Sequence, residues 1–220
     1  MKHTNQHIIS TMEDTGLIPV FNHPDIGIAQ EVVEASYQAG IKVFEFTNRD
    51  EKALEVFTKL RQYGSKYDDL ILGIGTIFTE TEVKKFMDAG ADFIVSPALI
   101  PEVADYCTTK ETLWIPGCAT ITEVYNAHQL GAQLIKAFPG NVLGSDFIKA
   151  VKTVLPMVKI MPTGGVKPTF ENLKLWFDSG VSCVGMGSQL FHKDAIKNGN
   201  FDKLTNDIKE ALQHIQKVKN

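Results

Sequence analysis

The stretch "AGIKVFE" (39–45) is one of four in which a helical pattern ends on a glycine that leads directly into an apolar strand. The other three are "AGADFIV" (89–95), "LGAQLIK" (130–136) and "SGVSCVG" (179–185). Glycine suits the left-handed conformation in which many helices end. The repeat therefore predicts a chain of alternating helices and strands, and it marks where four of the strands begin.

The rest of the chain follows the same alternation. Short runs rich in Val, Ile and Leu, separated by helical patterns, are typical of parallel strands that are buried on both faces. The sequence predicts eight such strands: "LIPVF" (17–21), "KVFEFT" (42–47), "LILGIGT" (70–76), "DFIVS" (92–96), "LWIP" (113–116), "QLIKAF" (133–138), "VKIMPT" (158–163) and "CVGMGS" (183–188).

Several helix boundaries are also marked. "TETE" (79–82) fits a capping box, because Thr79 and Glu82 stand three residues apart before an apolar face. Asp50 is expected to cap a helix that ends near Gly64. The last helix is expected to span about 202–217, where apolar residues recur at helical intervals.

Eight strand–helix units in 220 residues, with no linker or change in composition, predict a single domain over residues 1–220. The predicted fold is an α/β (β/α)8 TIM barrel near the lower size limit of that fold, with a short N-terminal helical extension. An open doubly wound sheet is the alternative. It usually carries GxGxxG or GxxxxGK[ST], and neither string occurs here.

The four junctions also set a common register. Counting five residues on from each helix-ending glycine reaches, in chain order, Glu45, Val95, Lys136 and Gly185. In a (β/α)8 barrel, alternate strands supply one layer of inward side chains, so Glu45 and Lys136 are expected to face each other across the lumen. The alternative is that such a junction recurs in any α/β fold without a shared layer.

Lys136 is the first candidate catalytic residue. A charged amine in a buried strand is costly unless it is paired or loses its proton. A desolvated lysine has a lowered pKa, and its neutral amine can attack a carbonyl group. The alternative is an outward lysine that reaches water past a helix. The shared register with Glu45 favours a nucleophile, beside which Glu45 can shuttle protons.

Arg49 and two glycine-rich loops are the candidate substrate-binding groups. Two-residue alternation places Arg49 on the side of Glu45, where it can hold a carboxylate, although an ion pair with Asp50 or Glu51 is an alternative. "MPTGGV" (161–166) and "GMGSQ" (185–189) end the last two strands, and barrels often bind phosphate with the loops found there.

Composition excludes several classes of protein. The net charge of −4 and the scattered basic residues argue against a nucleic-acid partner. No apolar run is long enough to span a membrane, and no metal-binding spacing of Cys and His occurs. We therefore expect a cytoplasmic protein with no metal, and we interpret four further residues as structural: Cys118, His128, Trp114 and Trp176.

Seven strings, in order, make the chain resemble the 2-keto-3-deoxy-6-phosphogluconate (KDPG) / 4-hydroxy-2-oxoglutarate (KHG) aldolase family. The match runs from about residue 17 to 190. The resemblance implies a class I aldolase on a (β/α)8 barrel, a homotrimer, a keto-acid substrate and no cofactor or metal. The strings are "EFTNR", "GIGT", "IVSP", "IPGCAT", "IKAFPG", "MPTGG" and "GMGSQL".

The resemblance also implies roles for single residues. Lys136 forms the imine and Glu45 shuttles protons, while Arg49 and Thr76 hold the pyruvyl carboxylate. The remaining substrate-binding residues line the pocket or face the distal hydroxyls and phosphate: Pro97, Phe138, Thr163, Gly164, Gly165, Gly187 and Ser188. Asn48 and Asp50, which flank Arg49, depart from the family pattern, and a carboxylate beside Arg49 is expected to weaken its hold on the substrate.

The predicted reaction is retro-aldol cleavage of KDPG to pyruvate and glyceraldehyde 3-phosphate, of KHG to pyruvate and glyoxylate, or of both. One alternative is an aldolase for the corresponding phosphogalactonate, because the sequence does not reveal the C4 stereochemistry. A phosphosugar isomerase or decarboxylase on the same barrel, in which Lys136 stays protonated, is another. A non-catalytic sugar-phosphate binding protein is the third.

Overall fold

The structure is a computed structural model, and it describes residues 3–220. Nine short strands lie in that range: β1 (Leu17–Phe21), β2 (Val43–Thr47), β3 (Ile71–Gly75), β4 (Phe93–Val95), β5 (Leu113–Ile115), β6 (Gly117–Cys118), β7 (Ile135–Ala137), β8 (Ile160–Pro162) and β9 (Val184–Met186). Ten helices accompany them: α1 (Asn5–Thr15), α2 (Ile26–Gln38), α3 (Ala53–Gly64), α4 (Glu80–Asp88), α5 (Pro101–Thr109), α6 (Ile121–Gln129), α7 (Gly140–Val154), α8 (Phe170–Asp178), α9 (Lys193–Lys197) and α10 (Phe201–Lys219). Within residues 3–220, no helix is both long and apolar enough to cross a membrane.

The strands form two parallel sheets whose edges meet. The larger sheet has the order β5-β4-β3-β2-β1-β9, and the smaller has the order β6-β7-β8. Only Pro116 separates β5 from β6, and its carbonyl accepts a hydrogen bond from the Lys136 N–H at 2.8 Å. At the other edges, Thr163 bridges to Gly185. The architecture is therefore an α/β fold of parallel strands in a curled sheet.

Every predicted strand contains an observed one, so the predicted alternation is confirmed. The fifth predicted strand continues past a break as β6, because Pro116 has no N–H to donate to the ladder. The glycines that follow α2, α4, α6 and α8 all have positive φ angles, as their predicted role requires: 112° at Gly40, 93° at Gly90, 87° at Gly131 and 93° at Gly180.

The capping box at Thr79 and Glu82 is confirmed, but the predicted cap at Asp50 is wrong. Helix α3 begins at Ala53, and its N-cap residue is Lys52, which makes no side-chain cap hydrogen bond. The Asp50 carboxylate instead accepts the Lys52 N–H at 2.8 Å. Asp50 thus shapes the turn that precedes the helix, because two further residues intervene before the first helical one.

Buried apolar residues form two clusters. The inner cluster draws on residues near the beginnings of the strands, such as Val43, Ile71 and Phe93, and on Ile8 and Met12 of α1. The outer cluster lies between the strands and the surrounding helices. Because α1 packs on the first residues of several strands, it covers the amino-terminal end of the sheet and leaves chemistry to the carboxyl end.

Candidate active site

Lys136 and Glu45 meet inside the sheet. Lys136 lies on β7 and Glu45 on β2, and the distance from Lys136 Nζ to Glu45 Oε1 is 3.3 Å. Their side chains are only 5% and 1% exposed. Residues two apart on a strand project to the same side, and both Val43 and Leu134 belong to the inner cluster. The shared register therefore places the two charged side chains together, as the sequence predicts.

Glu45 has one carboxylate oxygen without a partner among residues 3–220, and Lys136 lies near an aromatic ring. Glu45 Oε2 is buried and has no hydrogen-bond partner among residues 3–220. Lys136 Nζ lies 5.4 Å from the centroid of the Phe138 ring. A pair of opposite charges with one unsatisfied oxygen is a costly arrangement in a buried place, which is typical of a functional site.

Glycines on neighbouring strands make room for these side chains. A Cβ atom added to Gly75 on β3 would overlap Glu45 Oε1. A Cβ atom added to Gly185 on β9 would overlap Thr163 Oγ1. Because Gly75 and Gly185 have no side chain, the interior beside them has space for the polar side chains of Glu45 and Thr163.

A cleft of about 170 Å³ opens beside Phe138, whose ring lies near Lys136 Nζ, although neither Lys136 nor Glu45 lines the cleft itself. Seven of the predicted substrate-binding residues line this cleft: Arg49, Phe138, Thr163, Gly164, Gly165, Gly187 and Ser188. Four residues that the sequence analysis did not assign to substrate binding also line it: Val20, Val166, Gly185 and Gln189.

Thr163 and the two glycines after it form the polar wall of the cleft. Thr163 Oγ1 is buried without a hydrogen-bond partner among the described residues, and the Thr163 carbonyl accepts the Gly140 N–H at 2.7 Å. Gly164 and Gly165 have φ angles of 96° and 74°, and a Cβ atom on Gly165 would lie 2.6 Å from the Asn141 side chain. This backbone is therefore accessible in a conformation that other residues rarely adopt.

Thr76 and Pro97 do not line this cleft, but they follow the carboxyl ends of β3 and β4 at the same end of the sheet. Thr76 has a φ of 64°, which is uncommon for a residue other than glycine. It directly follows Gly75, which abuts the Glu45 carboxylate. Its backbone is thus held in an unusual conformation beside the acid–base pair.

Arg49 is exposed and forms no ion pair with any residue in the described range. The alternative of a surface pair with Asp50 or Glu51 is therefore not observed. The neighbouring Asn48 side chain donates to Glu82 Oε1 at 3.1 Å, and Asp50 holds the turn before α3. Asn48 and Asp50, which depart from the family pattern, thus each bond to a residue other than Arg49, and the Arg49 guanidinium can meet an anion in the cleft.

Cys118, Trp114 and Trp176 belong to the core, as predicted, and the other two cysteines are buried as well. Burial raises the pKa of both Cys107 and Cys118 to about 12, so neither thiol is an activated nucleophile. Trp114 Nε1 donates to Ser96 Oγ at 3.1 Å, and Trp176 is also buried. No cluster of His, Cys, Asp and Glu suited to a metal ion occurs in residues 3–220.

The sequence contained weak signals for some residues that it did not single out. Gly73 and Gly75 alternate along "GIGT", which places both on one side of β3. Val20 is the register partner of Glu45 on the neighbouring strand, which only the pairing of β1 with β2 reveals. Such cross-strand neighbours depend on the sheet order and cannot be found from spacing alone.

Comparison with known proteins gives a consistent result. A family model described as KDPG and KHG aldolase matches residues 8–206. A 2-dehydro-3-deoxy-phosphogluconate aldolase from Pseudoalteromonas atlantica is 31% identical over 201 residues, which is 89% of each chain. A 2-dehydro-3-deoxy-6-phosphogalactonate aldolase from Escherichia coli K12 is 38% identical over 125 residues, covering 56% of this chain and 60% of that protein.

A solved structure extends the similarity to three dimensions. The KDPG aldolase from Legionella pneumophila, with pyruvate captured as a covalent carbinolamine intermediate, matches with a TM-score of 0.84 and 29% identity. The match covers 93% of this chain and 97% of the other.

Proposed function

The chain belongs to the KDPG and KHG aldolase family, and we propose that it cleaves KDPG to pyruvate and glyceraldehyde 3-phosphate, KHG to pyruvate and glyoxylate, or both. It is an aldolase, and so a lyase. The observation that carries the proposed mechanism is the buried contact between Lys136 Nζ and Glu45 Oε1 at 3.3 Å. A lysine that can pass its proton to a neighbouring carboxylate becomes a nucleophile for a ketone.

In this mechanism Lys136 forms the covalent intermediate. Its neutral amine attacks the C2 ketone of the substrate, and loss of water from the carbinolamine gives a protonated imine. The imine accepts the electron pair of the C3–C4 bond as that bond breaks, which releases the aldehyde. A covalent pyruvate carbinolamine captured in the similar Legionella pneumophila enzyme supports this chemistry. The imine acts as the electron sink, so the proposed route requires no metal or other cofactor.

Glu45 carries the protons. Its carboxylate takes the proton of the C4 hydroxyl, directly or through a water, and returns one to the enamine carbon before the imine is hydrolysed. The 3.3 Å contact with Lys136 and the unpartnered Oε2 support this role, because one carboxylate can then serve the amine and the substrate.

The cleft supplies the binding groups. We assign Arg49 and Thr76 to the pyruvyl carboxylate, and Pro97 and Phe138 to the wall of the pocket. The distal hydroxyls and phosphate are assigned to the backbone and hydroxyl groups of Thr163, Gly164, Gly165, Gly187 and Ser188. The shared lining of the cleft supports the assignment for seven of these residues, and the positive φ angles of Gly164 and Gly165 support it further. For Thr76 and Pro97 the support is their place after the carboxyl ends of β3 and β4.

A second substrate is the galactonate analogue of KDPG. The 38% identity to the Escherichia coli phosphogalactonate aldolase favours this candidate. The two substrates differ in configuration at C4, so measuring pyruvate release from each sugar acid distinguishes them.

We further propose that the strands close into a single (β/α)8 barrel domain, supported by the Thr163–Gly185 bridge and by Pro116, through which β5 of the larger sheet runs directly into β6 of the smaller. We propose a homotrimer, supported by exposed apolar side chains at the carboxyl end of the sheet. A cytoplasmic setting is supported by three buried cysteines that remain free thiols.

Reductive trapping tests the mechanism. Borohydride added with pyruvate should attach a pyruvyl group to the peptide that contains Lys136, and mass spectrometry identifies it. Lys136→Arg should abolish the adduct, whereas Lys209→Arg, an exposed lysine on α10, should retain it. Glu45→Gln should lower the cleavage rate by about 10²- to 10⁴-fold, the usual contribution of a general acid–base.

An isomerase or decarboxylase in which Lys136 stays protonated would form no adduct. Substrate turnover by a protein whose Lys136 peptide remains unmodified would therefore contradict the proposal.

A further inference from the structure

We propose that a second, larger cavity beside the cleft is an acceptor pocket, which binds aldehydes that carry an apolar segment ending in an anion. In the cleavage direction, these are the aldehyde halves of larger 2-keto-4-hydroxy acids. The inference rests on the proposed aldolase function and extends its range of substrates. The acceptor pocket is lined by Val20, Phe21, Asn22, His23, Ile28, Arg49, Gly187, Ser188, Phe191, Lys193, Ile196 and Lys197.

The acceptor pocket is continuous with the cleft. Four residues line both: Val20, Arg49, Gly187 and Ser188. Its volume is about 630 Å³, against about 170 Å³ for the cleft. A larger aldehyde whose carbonyl carbon reaches the cleft can therefore extend past Arg49 into this space. A volume of this size is in the range that holds a drug-sized molecule.

The walls of the acceptor pocket are apolar. Phe21 and Phe191 pack edge to face, with ring centroids 5.0 Å apart, and Ile28 and Ile196 line the cavity with them. Removing an apolar or aromatic segment of a ligand from water against such walls is favourable. A glyceraldehyde phosphate offers no such segment, so these walls suit a different acceptor.

The rim of the acceptor pocket is cationic. Lys193 and Lys197 lie one turn apart on α9, and both are exposed. Neither forms an ion pair with any residue of the described range, and the lining contains no carboxylate. Arg49 also lines the pocket but is assigned to the pyruvyl carboxylate, so these two lysines are the cationic side chains left to favour an anion at the far end of the ligand.

The reaction in this pocket is the ordinary aldol addition. The enamine carbon of the Lys136-bound pyruvate forms a bond to the aldehyde carbon, and the aldehyde oxygen takes a proton and becomes the C4 hydroxyl. Water then hydrolyses the imine, which returns the lysine amine and releases the keto acid. Only the group attached to the aldehyde differs, so no further reactant is needed.

Two matched aldehydes test the acceptor pocket. 4-Formylbenzoate carries an aldehyde and a carboxylate at opposite ends of a benzene ring, and benzaldehyde lacks only the carboxylate. For pyruvate addition, kcat/KM should be about tenfold higher with 4-formylbenzoate, the scale of two exposed charge contacts. The K193Q/K197Q double variant should reduce this ratio to about one. K209Q, which removes an exposed lysine on α10, should retain it.

The ratio of the two aldehydes is measured on one protein sample, so partial unfolding of a variant does not change it. A wild-type ratio near one, or a ratio that survives K193Q/K197Q, would overturn the acceptor pocket. Addition of pyruvate to glyoxylate and to glyceraldehyde 3-phosphate is measured alongside, because neither aldehyde carries an apolar segment. If the wild-type protein fails with both of these aldehydes as well, the proposed aldolase function is itself wrong.

Discussion

At the scale of single residues, the position of the Glu45 carboxylate depends on the absence of a Cβ atom at Gly75. Thr47 and Gly75 are register partners on adjacent strands, and Glu45 leans over β3 toward the glycine. Any side chain at position 75 would compete with Oε1 for the same space. Gly75 is therefore a positioning residue for the group to which we assign the proton transfers.

The variant Gly75→Ala tests this dependence. The new methyl group should push the carboxylate away from Lys136 Nζ, and a displacement of about 1 Å can lower the rate about 100-fold. We expect kcat for cleavage to fall toward that extent and its pH profile to change, while borohydride still traps pyruvate on Lys136. Gly27→Ala, on α2, is the control, since its Cβ meets only the Asp25 carboxylate at 3.2 Å. An unchanged kcat would show that Gly75 does not position Glu45.

Single residues differed in how well the sequence revealed them. The contact between Lys136 and Glu45 could be predicted because each is a charge in an apolar strand, at the same distance from a helix-ending glycine. The contribution of Gly75 could not, because it depends on which strand lies next to β2. The predicted cap at Asp50 is wrong because a three-residue turn and a helix start look alike in sequence.

At the scale of elements, one carboxylate connects α2 to α3 and the segment that follows it. Burial by itself raises the pKa of Glu34, but hydrogen bonds from Tyr67, Lys66, Gln38 and Tyr63 outweigh it and lower the pKa to about 2. The usual value is 4.5. Because the folded state binds the proton less tightly than the unfolded chain, ionised Glu34 stabilises the fold above pH 4.5, and this contribution is lost as the pH falls toward 2.

The variant Glu34→Gln should therefore be less stable than the wild type at pH 7, by about 1–2 kcal/mol, since the side chain is 26% exposed and partly screened. The difference should shrink as the pH falls through 4.5. Urea unfolding at pH 7, 5 and 3.5 measures both effects. Glu31→Gln, at an exposed position on the same helix, is the control. A destabilisation that is the same at all three pH values would contradict the assigned role of ionised Glu34.

The existence and order of the strands could be read from the sequence, but their lengths could not. The predicted "QLIKAF" (133–138) contains only three strand residues, Ile135–Ala137. A strand ends where its ladder of hydrogen bonds ends, and that depends on the neighbouring strands. Only the break at Pro116 has a local cause, because proline lacks the donor.

At the scale of the whole molecule, alternating helices and strands predict parallel sheets covered by helices, and the structure has them. How the edges of the two sheets meet is harder to predict from a sequence. The two sheets meet where the chain passes from β5 to β6 at Pro116 and where the backbone of Thr163 bridges to Gly185, and backbone groups carry little sequence signal. The outer surface is even harder to predict from a sequence, because an apolar residue in a loop can face the core or another subunit.

Several large apolar side chains are exposed at the carboxyl end of the sheet. Phe78 precedes α4, Ile121 begins α6, and Val142 lies in the first turn of α7. Val142 is 73% exposed and Phe78 is 51% exposed. Exposed apolar side chains at the same end of a molecule can form a surface that binds another protein, and in a homo-oligomer that partner is a second copy.

The proposed homotrimer makes a direct prediction about mass. Analytical ultracentrifugation at micromolar concentration should find a species of three times the 24.4 kDa chain. The double variant F78S/V142S should shift the population to smaller species, because it removes exposed apolar area that the interface would bury. V154S/M157S, which alters two exposed apolar residues at the other end of α7, should remain trimeric. A monomeric wild type would contradict the trimer, and a trimeric F78S/V142S variant would place its interface on a different surface.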